Sequence, residues 1–400
     1  MKLIEVNDKR TRQAFHEVPR TLYRHDREWV CVPDPVIEGI FDPASNSFFG
    51  HGEATRWILR DARGSLIGRV AAFINKKKAY GFDQPTGGMG FFECIDDRKA
   101  AFLLFDACRD WLSARGMEAM DGPINFGEND NFWGLLVEHS SPVCYGMNYH
   151  PAYYRPLFEE YGFRMYYEQV TNDLNLRKPF PDRFWKIAEW IRQKEGYTWE
   201  HFRFAEAERY IMDLKTVYDE AWAFHENFTP INPDDLRRTV KTSRHLLIEE
   251  FIWFVYHEGK PIAFLVMMPD ANQLFAKLSG RMGLMDKLRF LYHKNRRIFT
   301  RARITIMGVV PQYQKFGIES GIFFELNEVM KRRPEYEIIE LSWVGDFNPK
   351  MRKLHESVGA DFGKRHYTYR KLFKDDADFR RSTIIPVDTK EKSLKETDPH

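Results

Sequence analysis

Cysteine is scarce in this chain. There are four in 400 residues, Cys31, Cys94, Cys108 and Cys144, all in the first half and none at metal-ligand spacing. That excludes a disulfide-stapled scaffold and argues against a zinc site. The expectation is buried, reduced thiols in a cytoplasmic protein without a metal. Long apolar runs are missing too: none approaches the ~20 residues of a bilayer span. The start, Met1-Lys2-Leu3-Ile4-Glu5, has no signal-peptide core. An excess of one charge is absent, since 60 Lys and Arg against 58 Asp and Glu leave +2. Nothing in that balance draws the whole chain to nucleic acid or a membrane surface. Aromatic residues, at 15% of the chain, are plentiful and predict large packed cores. A length of 400 residues suits two domains.

The most informative stretch runs from Val309 to Ile318. The apolar strand Ile304 to Val310 breaks at Pro311, turns through Gln314-Lys315-Phe316-Gly317-Ile318, and opens a helix from Ser320 to Met330. Loop amides and a helix N-terminus that point the same way make a phosphate-binding element. Here the chain resembles the GNAT acyltransferase superfamily, whose acyl-CoA pyrophosphate rests on a Gln/Arg-x-x-Gly-x-Gly/Ala loop. Gln314, Gly317 and Ile318 match that pattern, and Glu319 stands where the second small residue belongs. The resemblance implies acetyl-CoA or another acyl-CoA as co-substrate, held by Val309, Val310, Gln314, Lys315, Phe316, Gly317, Ile318 and Asn348. A splayed strand at Val309 and Val310 would offer a backbone N–H to the thioester carbonyl.

Downstream, a second strand spans Tyr336 to Val344, and Asn348-Pro349 opens a helix that stops at Gly359. In GNAT proteins a Tyr follows such an Asn by seven residues. His355 stands there, which makes it the candidate acid for the leaving thiolate, weighed against a surface histidine beside Glu356. Glu340 and Asp346 are the candidate bases, weighed against solvent-facing carboxylates. Asn125, Glu128, Asn129, Asp130 and Asn131 form a polar loop that more simply satisfies its own backbone.

The first half repeats the plan. A hairpin, Thr55–Arg60 and Leu66–Phe73, surrounds Asp61-Ala62-Arg63-Gly64; the second half has Phe251–His257 and Pro261–Met268 around Glu258-Gly259-Lys260. The expected fold is therefore α/β (α+β): tandem GNAT-like domains, each a mixed, mostly antiparallel central sheet flanked by helices. A degenerate domain is expected over residues 1–178, a domain with the CoA site over 179–373, and a mobile tail over 374–400. The first half has Asp96-Asp97-Arg98-Lys99 where a phosphate loop belongs, without a glycine, and Phe158 at the Tyr position. Leu22 to Val30, Gly90-Phe91-Phe92-Glu93 and Gly122-Pro123-Ile124-Asn125-Phe126 carry a further resemblance, to a bacterial family of two-half GNAT-like proteins.

From Lys277 to Arg303 the chain holds nine Lys and Arg against one acid, Asp286, with apolar residues at helical spacing. It reads as a basic amphipathic helix over 277–303. It could clamp an anionic substrate, meet membrane or RNA, or be a solvated face. The resemblance implies an N-acyltransferase, with acetyl transfer to a small amine or amino-acid-like acceptor; the cysteine usage adds a cytoplasmic setting, and monomer and homodimer both stay open. A transferase using aminoacyl-tRNA and a non-catalytic CoA-binding protein are the alternatives.

Overall fold

The computed structural model describes residues 1–128, 130–223, 230–294, 296, 298–374 and 376–383, without the side chain of Lys294. Asn129 of the polar loop, Arg297 of the basic segment and 384–400 of the expected tail lie outside the described residues. The chain forms two compact units that are not continuous in sequence. Among the described residues, the first comprises Met1–Glu168, Pro269–Thr300 and Lys364–Arg380; the second comprises Gln169–Met268, Arg301–Gly363 and 381–383.

The element order begins β1 (Lys2–Glu5), α1 (Lys9–Leu22), α2 (Asp34–Ile40), β2 (Gly52–Arg60), β3 (Leu66–Asn75) and α3 (Lys76–Ala79). It continues with β4 (Thr86–Cys94), α4 (Arg98–Ser113), β5 (Ala119–Gly122), β6 (Leu135–His139), α5 (Tyr154–Tyr161) and β7 (Arg164–Asn175). Then come α6 (Asp182–Arg192), β8 (Tyr197–His201), α7 (Ala207–Trp222), α8 (Pro233–Ser243), β9 (Ile252–His257) and β10 (Lys260–Pro269). The last are α9 (Asn272–Phe275), α10 (Leu284–Lys294), β11 (Arg301–Val309), α11 (Ile318–Lys331), β12 (Ile338–Gly345), α12 (Pro349–Ser357) and β13 (Asp361–Leu372).

Within the first unit the strands lie in the order β1-β2-β3-β4-β5-β13, with β6 also on β13. Within the second the order is β7-β12-β11-β10-β9-β8. These are one plan used twice. Each unit has an antiparallel hairpin, β2–β3 or β9–β10, and the expected turns are present. In the second turn Glu258 and Gly259 both take positive φ, 49° and 76°, the conformation a two-residue hairpin turn requires. Each unit also has one parallel pair of three residues. In the first it is Thr86↔Ala119 to Gly88↔Asp121, and in the second Arg301↔Ile338 to Arg303↔Glu340. Beyond those pairs, among the described residues, the ladders of β4 with β5 and of β11 with β12 end, and the strands part in a wedge.

The core of the first unit is aromatic. Phe92 stacks on Phe105 at 4.7 Å, and Phe158 packs edge-on against both. Phe158, at the position of the GNAT Tyr, is fully buried there. In the second unit Tyr210, Phe254 and Phe264 fill the corresponding space between sheet and helices. Cys94, Cys108 and Cys144 are buried free thiols, and Cys31 is half-buried. Among the described residues no helix is long and apolar enough to cross a membrane.

The basic segment is not one helix. Only Leu284–Lys294 is α10, and Arg301 and Arg303 are buried residues of β11. The Gly280 and Gly283 positions before α10 and the strand pairing after it interrupt the helical pattern that the charge run suggested.

Candidate active site

The loop after β11 forms a short turn, Pro311–Tyr313, and Gly317 then adopts φ +74° at the start of α11. A left-handed residue there suits glycine, and a side chain would also collide: an added Cβ would lie 2.4 Å from Ile187 Cγ2 on α6. No side chain caps the first turn of α11. The equivalent helix of the first unit, α4, is capped by its own Asp97, whose carboxylate accepts from the Ala100 amide at 2.8 Å. The start of α4 is thus closed by a capping carboxylate, whereas the first turn of α11 has no N-cap side chain and holds Glu319, whose carboxyl bonds its own amide.

A cleft of about 690 Å³ opens at this point in the second unit. Five cations line it, Arg183, Lys186, Lys315, Lys350 and Lys353, against one carboxylate, Glu319. Gln314, Phe316, Gly317 and Ser320 contribute from the loop and α11, while Ile187 and Trp190 of α6 and Met351 and Leu354 of α12 supply an apolar wall. Gln314 ties the floor together. Its amide donates to the Val309 carbonyl at 2.9 Å, and its Oε1 accepts from Lys350 Nζ at 2.6 Å. Burial pushes the Glu319 carboxyl above its ordinary value, and Lys350 partly offsets this. A carboxyl that ionises less readily beside a lysine opposes an incoming diphosphate less than a free carboxylate would.

Among the residues singled out from sequence, Gln314, Lys315, Phe316 and Gly317 converge on this cleft, with Glu319 beside them. Asn348 caps α12 as expected, its side chain accepting from the Met351 amide at 3.2 Å, and so presents Lys350 and Lys353. Val309 and Val310 are buried at the end of β11, as is Ile318 at the start of α11. The Val310 amide, however, donates to the Ile262 carbonyl at 2.9 Å, so it is committed to the sheet. The α6 residues of the cleft, Arg183, Lys186, Ile187 and Trp190, carry no signal in the sequence: they follow Pro179-Phe180-Pro181, where the two prolines mark only a boundary, and the 51% exposure of Trp190 emerges only in the structure.

The proposed acid and bases do not converge. His355 is 5% exposed, not a surface residue. Its Nδ1 lies 3.0 Å from Asn172 Oδ1, which can only accept, so Nδ1 carries the hydrogen. Burial, aided by Arg352, lowers its pKa to about 4. At neutral pH the ring is uncharged and has no dissociable proton suited to a thiolate, and the residue does not line the cleft. Glu340 is fully buried and bonded to Arg301 at 3.1 Å, with Asp173 also within 3.7 Å of that guanidinium. Asp346, in the turn after β12, is paired with Arg381.

In the first unit the wedge is closed. The Ile124 amide donates to the Met89 carbonyl at 2.8 Å. A Cβ on Gly90 would sit 1.9 Å from the Ile124 carbonyl oxygen, so the loop after β5 lies directly on β4. Gly90 and Gly122-Pro123-Ile124, noted in the sequence, are the residues of this plug.

No protein-family model matches the chain. Its fold is that of the GNAT proteins, present in tandem. A tandem GNAT protein from the clavulanic acid biosynthesis pathway superposes with a TM-score of 0.57 at 11% identity, covering 94% of this chain and 99% of that one. A GCN5-related N-acetyltransferase from Sphaerobacter thermophilus gives 0.50 at 13%, covering 95% and 98%. In sequence the chain is similar to Protein YghO of Escherichia coli, 26% identical over 91% of this chain and 93% of that protein. It is likewise similar to the bacterial ceramide synthase of Caulobacter vibrioides, 25% identical over 93% and 97%.

Proposed function

We propose that the chain is an acyl-CoA-dependent N-acyltransferase whose single cofactor site is in the second unit. The observation that carries this reading is the cation-lined cleft at the uncapped start of α11. The amides at Gly317 to Glu319, with Lys315 and Lys350 at hand, would take the diphosphate, and the remaining cations the outlying phosphate of CoA. The apolar wall from α6 and α12 suits the uncharged arm. The wedge between β11 and β12 would receive the thioester, where the carbon–nitrogen bond forms as the carbon–sulfur bond breaks. The proton lost by the amine passes to the sulfur or to solvent.

The Caulobacter relative supports a particular acceptor class. A ceramide is the amide of a long-chain amino alcohol, so a lipid-like amine fits better than the small amine expected from the sequence. Two parallel incubations test this, acyl-CoA with a long-chain amino alcohol and acyl-CoA with a short amine, with free thiol and amide product followed together. Amide from the long-chain amine is the expected result. Thiol release with neither amine, or none at all, would reject the transferase reading.

A further inference from the structure

The helix α10 presents an apolar stripe away from the protein. Leu284, Met285, Leu288, Leu291 and Tyr292 are all large and all exposed, Leu284 by 77% and Leu291 by 59%. At 100° per residue these five fall within an arc of about 120° on one side of the helix. The opposite side holds Asp286, Phe290 and His293, which are the covered positions of the helix. Asp286 anchors it: the carboxylate accepts from the Ser279 amide at 2.9 Å, the Ser279 hydroxyl at 2.6 Å and the Met282 amide at 3.0 Å. The helix therefore stands on the side of Asp286, Phe290 and His293 and shows its leucine side to solvent.

Charge is arranged to match. Lys287 and Arg289, both exposed, fall on the two opposite flanks of the apolar arc. Arg296 beyond the helix end stacks over Tyr292 at 4.1 Å, and Arg281 before it reaches Glu17. Asp286 is the sole acid between Lys277 and Arg303, and its carboxylate is 2% exposed and turned inward. An outward apolar face with a cation on each flank is the pattern of a helix lying in a bilayer interface, its leucines among acyl chains and its cations at headgroup level. A solvated helix leaves no reason for five large apolar residues on the outer side. A nucleic-acid surface would put the cations, not the leucines, outermost.

We infer that α10 docks the protein on anionic lipid surfaces, with Leu284, Leu288 and Leu291 entering the acyl boundary and Lys287 and Arg289 meeting the headgroups. This stands apart from the acyl-transfer reading, since it concerns the first unit and needs no cofactor.

The test is vesicle flotation of the full chain with phosphatidylcholine alone and with phosphatidylcholine containing phosphatidylglycerol. The wild type should float with the anionic vesicles and weakly or not at all with the neutral ones. Leu288→Glu/Leu291→Glu should abolish flotation while leaving the thermal melt unchanged, because both side chains are already in solvent. Lys287→Gln/Arg289→Gln, a milder pair that cannot disturb folding through burial, should weaken binding about fivefold per cation removed and flatten its salt dependence. Absence of flotation with anionic vesicles would overturn the inference. So would equal flotation of wild type and the leucine pair. Sedimentation as a dimer that the leucine pair dissociates, or retention of a tRNA probe by the same cations, either without vesicle binding, would assign the face to another occupant and reject it.

Discussion

Gly317 offers the sharpest perturbation of the candidate site, because a natural control stands elsewhere in the same unit. Gly317 and Gly359 both adopt φ +74°. At Gly359 an added Cβ would meet only Pro181, at an ordinary 3.6 Å, whereas at Gly317 it would press on Ile187 at 2.4 Å. Gly359→Ala should therefore cost only the left-handed strain of about 1–2 kcal/mol. Gly317→Ala bears the same strain plus a displacement of Ile187 or of the loop, for a total of about 2–3 kcal/mol. For a unit of this size that is a melting shift of roughly 4–12 °C, measurable by differential scanning calorimetry. The discriminating assay is acyl-CoA affinity. If the amides of Gly317 to Glu319 hold the diphosphate, Gly317→Ala should weaken binding by about tenfold or more, and Gly359→Ala should leave it unchanged. Gly317→Ala/Ile187→Ala should recover part of the stability, because the contact is relieved and the strain remains. Wild-type affinity in Gly317→Ala, with the stability loss present, would refute the placement of the diphosphate.

Glu319→Gln should raise stability at neutral pH. The folded state holds this carboxyl above its unfolded value, so its contribution is fully present at low pH and is lost as pH rises through the folded pKa; the two proteins should converge in acid melts. The same change should tighten CoA binding, most visibly at low salt. His355 behaves in the opposite sense. Its pKa is depressed from 6.5 to about 4, so the stability it contributes is present above 6.5 and lost as pH falls toward 4, up to roughly 3 kcal/mol. His355→Asn should flatten the pH dependence of the melting temperature in that window. Glu340→Gln should destabilise by about 3 kcal/mol, since it removes one of the two carboxylates that the buried Arg301 faces, and should leave the acyl-CoA affinity of the folded fraction unchanged. A loss of affinity with no change in melting would return Glu340 to the candidate site.

Local chemistry was legible in the sequence wherever one residue type has one physical use. Gly64 and Glu258-Gly259 turn the hairpins, Asn348 caps a helix that Pro349 opens, and Gly317 takes the left-handed corner before α11. Non-local facts were not. Nothing along the chain says that residues from Gln169 pair with β12 in the second unit, or that Lys364 to Leu372 complete the first. The linear boundary expected at 178 cannot express such an exchange. Charge counting joined Lys277 to Arg303 into one helix because composition does not distinguish a cation in solvent from Arg301, buried against Glu340. The spacing from Asn348 marks His355, but its tautomer depends on Asn172, 183 residues away, and its charge on burial that only the fold creates.

One acyl-CoA site per chain is proposed, at the start of α11; at α4 Asp97 caps the helix and the loop after β5 also closes the wedge, so removing the cap alone opens no second site. Calorimetric titration of the intact chain with acyl-CoA measures this directly. A stoichiometry of one is expected, unchanged by Asp97→Ala. Two sites, or no binding, would contradict it.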